Sequence, residues 1–373
     1  MKIRLNYRVV VLIVILSVIA IREAALEIRP SILRPGLRLF AYVGNTGDGT
    51  VSAIDLVKLA AAATIPVGPG PISVRAHPSR KEIWGLSSTG GYAWILDAAT
   101  NQVVARIPVG PSPSALEFSP DGSRAYVTVS GSNSVVAINC ATRQVIARAR
   151  TGRRPWNARV SPDGKLLIVS NRDDATVSLL NALTLESRGT VGVAPDPEQI
   201  AILPDSSRAF VTSGSRDEVS AVDLQRAVLL ANLALDGRPD ALLLKPDGGE
   251  LYIPSADAHG LLIVNTQTNE VADFMLLGMS PVAAALVPDA QILYVSDSAA
   301  GHVVPIAVDQ RRVGRPISAG QSPRACQITP GGDVLVAVDS ASDEIAVVRT
   351  QTSSLITLVP TGSRPRDLAI KVF

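Results

Sequence analysis

Apolar and polar residues alternate with a period of two in short stretches along most of this chain, and each stretch ends at a cluster of Pro, Gly, Asn or Asp. That pattern predicts short β-strands joined by tight turns, not helices. Residues 113–152 serve as a specimen. Residues 114–119 form a short strand with Leu116 and Phe118 on one side. Ser119-Pro120-Asp121-Gly122 then makes a tight turn, with proline presetting φ and glycine accepting a positive φ. Strands are predicted over 124–129, 134–138 and 144–149, separated by Ser130-Gly131-Ser132-Asn133 and by Asn139-Cys140-Ala141-Thr142, the latter an Asx-type turn.

This four-strand unit recurs every 42 residues. Pro71, Pro113, Pro155, Pro197, Pro239, Pro281, Pro323 and Pro365 form one column, and Pro78, Pro120, Pro162, Pro204, Pro246, Pro288 and Pro330 form a second, seven residues later. Tyr42, Trp84, Tyr126, Phe210, Tyr252 and Tyr294 make an aromatic column; Asp55, Asp97, Asn139, Asn181, Asp223 and Asn265 make a polar one. Four strands per 40–50 residues is the signature of a propeller blade. The third and fifth residues after each first-column proline are apolar, as in Val74 and Ala76, Leu116 and Phe118, Ile200 and Ile202, Leu242 and Leu244. They fall on one blade face and are expected to pack against the next blade. Residues 29–364 span eight periods, and 365–373 supply one further first strand. Its competitor, 31–34, places Arg34 in an apolar position. The expectation is therefore an all-β propeller of eight four-stranded blades, with seven as the alternative count, closed by the C-terminal strand.

The columns P-x-x-[apolar]-x-[apolar]-x-P-D-G, an aromatic-Val strand and an Asp/Asn-x-x-Thr turn resemble the YVTN β-propeller repeat, most closely at Ala41-Tyr42-Val43-Gly44-Asn45 and Ala125-Tyr126-Val127-Thr128. The resemblance covers nearly the whole chain after its first residues. It implies the fold, and one of several roles outside the cytoplasm: surface-layer components, periplasmic proteins, and distant relatives that act as lactonases or bind haem d1. It carries no catalytic residue over to this chain.

Composition adds the compartment. Lys2, Arg4 and Arg8 precede an apolar run over 9–21, as in a secretory signal, and Val18-Ile19-Ala20 offers small residues for cleavage after Ala20. The run would rise only about 20 Å as a helix, short of a roughly 30 Å bilayer core. The expected organisation is a signal peptide or signal anchor over 1–20, a linker over 21–37 and a single propeller over 38–373. An uncleaved N-terminal segment would be the only membrane attachment. The formal charge is +2, and without those three cations the remainder is near neutral, so no basic footprint for nucleic acid exists. The two cysteines, Cys140 and Cys326, form no CxxC and lie in blades that are not neighbours, so a disulfide between them is not expected.

Candidate chemistry sits where the chain departs from the repeat rule. In this topology the loop before each first strand and the loop between the second and third strands share one end of the channel. The residues flanking the first-column prolines vary most there. Arg153, Arg154, Trp156, Glu198, Asp240, Arg324 and Arg366 are the candidate ligand-binding set, with arginines suited to a small anionic ligand or an acidic partner and Trp156 to stacking. His259 and His302, with Asp257 and Asp297 nearby, are the candidate metal ligands. No cofactor is favoured. No G-x-S-x-G elbow, P-loop or dinucleotide fingerprint is present. The expected role is a non-enzymatic binding scaffold outside the cytoplasm, with a cofactor protein or enzyme of lactonase, quinoprotein or haem d1-related type as the alternative.

Overall fold

The computed structural model describes residues 38–373. The expected signal segment and linker, 1–20 and 21–37, lie outside the described residues. Eight antiparallel sheets follow one another around a ring. In blades 2 to 8 the chain runs from the innermost strand outward; blade 3, for example, is Pro113–Phe118, Arg124–Val129, Ser134–Asn139 and Gln144–Arg150. Blade 1 differs. Its outer three strands are Leu39–Asn45, Thr50–Asp55 and Ala60–Pro66, and its innermost strand is Pro365–Val372 from the other end of the chain. Leu39 stands opposite Val372 and Val43 opposite Leu368. Eight blades and closure by the C-terminal strand are thus both observed.

The turns form for the reasons the sequence gives. Gly122 has φ +69° and its N–H donates to the Ser119 carbonyl at 2.8 Å. Asp121 accepts the Ser119 hydroxyl at 2.6 Å and the Ser123 N–H at 3.0 Å, and these bonds hold its carboxyl down at about 2. Asn139 accepts the N–H groups of Ala141 and Thr142, both at 2.9 Å, the expected Asx-type turn.

The core is not a single body of side chains. It consists of eight apolar clusters, one in each gap between consecutive blades. Leu116 and Phe118 of blade 3 pack on Trp84 and Leu86 of blade 2, and Ile200 of blade 5 on Ile168 and Val177 of blade 4. The neighbour these side chains reach is therefore the preceding blade rather than the next. Each fully buried side chain of this size stabilises by roughly 1.5–3 kcal/mol. The aromatic column stitches in the other direction. The Tyr126 hydroxyl donates to the Ala182 carbonyl of blade 4 at 2.7 Å, and the Tyr294 hydroxyl to the Thr350 carbonyl of blade 8 at 2.9 Å. Cys140 and Cys326 are both free thiols. Burial pushes them up to about 12 and about 11 respectively, which keeps them protonated and unreactive.

Blade 6 breaks the pattern. Its innermost strand shrinks to Leu243–Leu244. The position where blades 3, 4 and 5 carry Thr128, Ser170 and Thr212 is Pro254 here. In those blades the hydroxyl accepts an N–H from the bulged innermost strand: Ala115 at 2.9 Å, Asn157 at 3.1 Å and Gln199 at 3.0 Å. Gly44, Leu86 and Val338 also lack a hydroxyl at this position and their blades keep a full innermost strand, so what sets blade 6 apart is the proline itself, which has no N–H; there residues 239–242 leave the ladder.

Candidate functional site

Backbone hydrogen bonds confirm which loops share the mouth of the channel. The first residue of the loop after the second strand donates to the residue just before the innermost strand: Ser130 to Ser112 (3.0 Å), Arg172 to Arg154 (3.1 Å), Gly214 to Asp196 (2.7 Å) and Ser298 to Ser280 (2.8 Å). In blade 6 the carbonyl is replaced by a side chain, Ala256 donating to Asp240 Oδ2 at 2.7 Å. Asp240 is thus a loop anchor. Burial raises its pKa above the usual carboxylate value, and the Ala256 N–H acts against that.

The predicted residues on blades 4 and 5 come together around one that was not predicted. Arg172 leads the short 3-10 turn Arg172–Asp174, where the other repeats place Thr46, Ser88, Ser130, Gly214, Ala256, Ser298 and Ser340. Its side chain is only 13% exposed. Its guanidinium carbon lies 4.2 Å from the Trp156 ring centroid, and its Nη2 donates to Glu198 Oε1 and, at 3.3 Å, to Asp196 Oδ2. Its Nε stands 2.6 Å from Asp196 Oδ1, an ion-pair contact whose angle is not that of a hydrogen bond. Trp156 therefore already carries a cation on its face, and Glu198 is neutralised. Arg153 pairs with Asp174, and Arg154 with Asp173 at 3.3 Å, so both are occupied on the rim. The signal for Arg172 was in the sequence: it is the one large, charged residue in a column of small ones.

Arg324 and Arg366 are different. Each directly follows its column proline, on the consecutive blades 8 and 1. Both are exposed, and neither side chain makes an ion pair or hydrogen bond among the described residues. In a ring of eight they stand across the mouth from Trp156 and Glu198. Below them the channel wall is braced between blades. Arg75 meets Asp367 at 3.1 Å, and Asp367 also accepts the Val74 N–H at 3.0 Å. Arg159 meets Glu117 at 2.9 Å. Gln327 Nε2 donates to the Leu368 carbonyl at 2.9 Å. Arg75, Asp367, Glu117 and Arg159 are thus spent on one another.

The histidines do not assemble a site. The His259 Nδ1–H donates to the Met279 carbonyl at 2.8 Å, and His302 opens the third strand of blade 7. Asp297 accepts the N–H groups of Met279 (2.7 Å), Ser280 (2.9 Å) and Ala300 (3.0 Å), and Asp257 lies 3.8 Å from Arg238. Both carboxylates are therefore engaged, and no group of three or more His, Cys, Asp or Glu side chains with metal-binding geometry forms among the described residues. His77 lies at the opposite end, its Nδ1 accepting the N–H groups of Ser79 and Arg80, and burial lowers its pKa. A large surface hollow, about 790 Å³, is also away from the mouth, between blades 4 and 5, and is lined by Asp163, Lys165, Arg188 and Asp205.

No family model matches the chain, and no curated protein matches it. Solved structures do. Dihydro-heme d1 dehydrogenase NirN, in complex with DHE, superposes over 92% of this chain and 78% of its own, with TM-score 0.74 and 15% identity. Hydrazine synthase of Kuenenia stuttgartiensis gives TM-score 0.60 at 18% identity, over 76% of this chain and 96% of its own. A functionally unknown protein from Desulfotomaculum acetoxidans gives 0.61 at 14%, over 77% and 97%. At such identities the likeness establishes the propeller fold alone.

Proposed function

We propose that this protein is a non-enzymatic binding scaffold of the YVTN type, working outside the cytoplasm, and that the mouth of its channel takes an anionic ligand on Arg324 and Arg366. One observation carries the reading. These two arginines stand at equivalent positions on consecutive blades, exposed and without a partner among the described residues, while the other cations of the predicted set are held by Asp173 and Asp174. A planar guanidinium presents paired donors to a carboxylate or phosphate, and two of them on a rigid rim can grip one ligand from two blades. The basic residues and apolar run at 1–21 support a location outside the cytoplasm. The ligand is a small carboxylate or phosphate, or an acidic segment of a partner protein.

A second reading has one observation in its favour. NirN was solved with DHE and superposes on 92% of this chain. A carboxylate-bearing macrocycle over the mouth would also engage Arg324 and Arg366. The absorption spectrum and metal content of the protein purified from its native host separate the two. The scaffold reading predicts a colourless, metal-free protein; a stoichiometric chromophore or metal would replace it with the cofactor reading.

A further inference from the structure

On the side of the ring away from the mouth, most gaps between neighbouring blades are closed by a polar side chain that reaches across. Blade 3 sends two: Arg124 Nη1 donates to the Leu183 carbonyl of blade 4, and the Tyr126 hydroxyl to the Ala182 carbonyl. Arg208 Nη1 of blade 5 donates to the Thr266 carbonyl of blade 6 at 2.8 Å. At the same repeat position Glu82 pairs with Arg143 at 2.9 Å and Glu250 with Arg311. Where that position is apolar, in Phe40 and Ile292, the hydroxyls of Tyr42 and Tyr294 reach across instead, to Ala98 at 3.2 Å and Thr350 at 2.9 Å. Val334 of blade 8 packs with Leu56 and Leu59 of blade 1.

Blade 4 does none of this. It carries Leu166 and Ile168 where blade 3 carries Arg124 and Tyr126. Across the gap stands Ala227, the smallest member of a column that reads Leu59, Asn101, Arg143, Leu185, Ala227, Asn269, Arg311 and Ser353. The Leu224 and Gln225 carbonyls occupy the places of Ala182 and Leu183, and no side chain among the described residues donates to either. The space follows from these substitutions. The hollow here is about 790 Å³, against about 300 Å³ where Arg124 lies and about 270 Å³ where Arg208 lies.

The hollow keeps the charges that surround the arginines of the flanking gaps. Asp121 and Asp163 line the place of Arg124, Asp205 and Asp247 that of Arg208, and Asp163 and Asp205 line the empty one. Asp205 bonds Ser207 through Oδ1 and leaves Oδ2 free, while Asp163 meets the exposed Lys165 at 3.4 Å. The remaining wall carries Arg188, which is exposed and makes no ion pair or hydrogen bond among the described residues. A ligand with charges of both signs matches such a lining.

We propose that the hollow between blades 4 and 5 binds an arginine with a free carboxylate, as the amino acid or as the last residue of a peptide. Its guanidinium takes the place that Arg124 and Arg208 fill in the neighbouring gaps, beside Asp205 and the Leu224 and Gln225 carbonyls, and its carboxylate meets Arg188. This site is away from Arg324 and Arg366 and is independent of the ligand proposed for the mouth.

Isothermal titration calorimetry on the full-length protein in mild detergent tests it. L-Arginine is expected to bind at one site per chain, and L-citrulline, alike in shape but uncharged at that end, about tenfold more weakly or less. Agmatine, which lacks the carboxylate, is expected to bind more weakly than arginine to the wild type and equally to Arg188→Ala. Leu166→Arg restores the residue of blades 3 and 5, and Ala227→Leu that of blades 1 and 4; each fills the hollow, and each is expected to abolish binding while melting no lower than the wild type. The peptide Gly-Gly-Arg separates the sources: binding at least as tight as that of arginine assigns the site to a chain end, weaker binding to the amino acid. A wild type with no saturable arginine binding overturns the proposal. So does binding that survives both filling substitutions, equal affinity for arginine and citrulline, or a preference for arginine over agmatine that Arg188→Ala leaves in place.

Discussion

Ending the chain at Arg364 is expected to leave a protein with no cooperative thermal transition and little soluble yield. The nine residues lost are the whole inner wall of blade 1. Leu368 and Ala369, 1% and 3% exposed, fill two different gaps, the first against blade 8 and the second against blade 2. Phe373 stacks on Phe40 at 6.0 Å between centroids, and Arg38 caps it at 4.8 Å. Lys371 donates to the His77 carbonyl, and Asp367 braces Val74 and Arg75. Several apolar side chains at roughly 1.5–3 kcal/mol each already rival a total stability of about 5–15 kcal/mol. The loss also uncovers Leu39–Asn45 as a long, buried-type edge. Circular dichroism melts check the outcome, and a synthetic peptide of residues 365–373 added in trans is expected to restore a transition. A truncated chain that melts like the full one would refute closure by this strand.

Replacing Arg172 has the second-largest effect. In Arg172→Met the Asp196 and Glu198 carboxylates lose the cation that holds both, and Trp156 loses the charge on its face. Removing one partner of a buried ion pair costs about 3–5 kcal/mol; with these carboxylates 32% and 26% exposed, solvent screening brings the expected loss to about 1–3 kcal/mol. The melting temperature falls by several degrees, and Trp156 fluorescence shifts, while Trp84 and Trp94 stay buried. Arg172→Lys keeps the charge but not the planar fork, and is expected to fall between the two. A melt and spectrum identical to wild type would mean that the cluster is ornamental.

Nearly all of the fold was legible because each repeat writes the same physics again. The proline columns, the Ser-Pro-Asp-Gly turn and the Asx turn are local, and local bonds such as Gly122 to Ser119 form wherever the residues allow them. The gap-filling face was legible too, but not its direction: a period of two says that Leu116 and Phe118 share a face, and only the twist of the ring says that the face looks to blade 2. The truncated strand in blade 6 coincides with Pro254, a proline inside a second strand, and reading the proline columns alone passes over it. The sequence set Arg153, Arg154, Trp156 and Glu198 beside their column prolines at the mouth. It could not say that Asp173, Asp174 and Arg172, from the other loop of the same mouth, would occupy them. Pairing between loops is set by three-dimensional proximity, and it separates the spent arginines from Arg324 and Arg366.

The central claim is that those two arginines are the ligand-binding cations. The most direct test compares thermal melts of the wild type and of Arg324→Ala/Arg366→Ala in citrate and in sodium chloride of equal ionic strength. A multicarboxylate held at the mouth at about 100 times its Kd adds about 2.7 kcal/mol, a rise of several degrees. The wild type is predicted to rise in citrate but not in chloride, and the double variant to melt alike in both. An equal citrate-specific rise in the two proteins, or none in the wild type, would contradict the account.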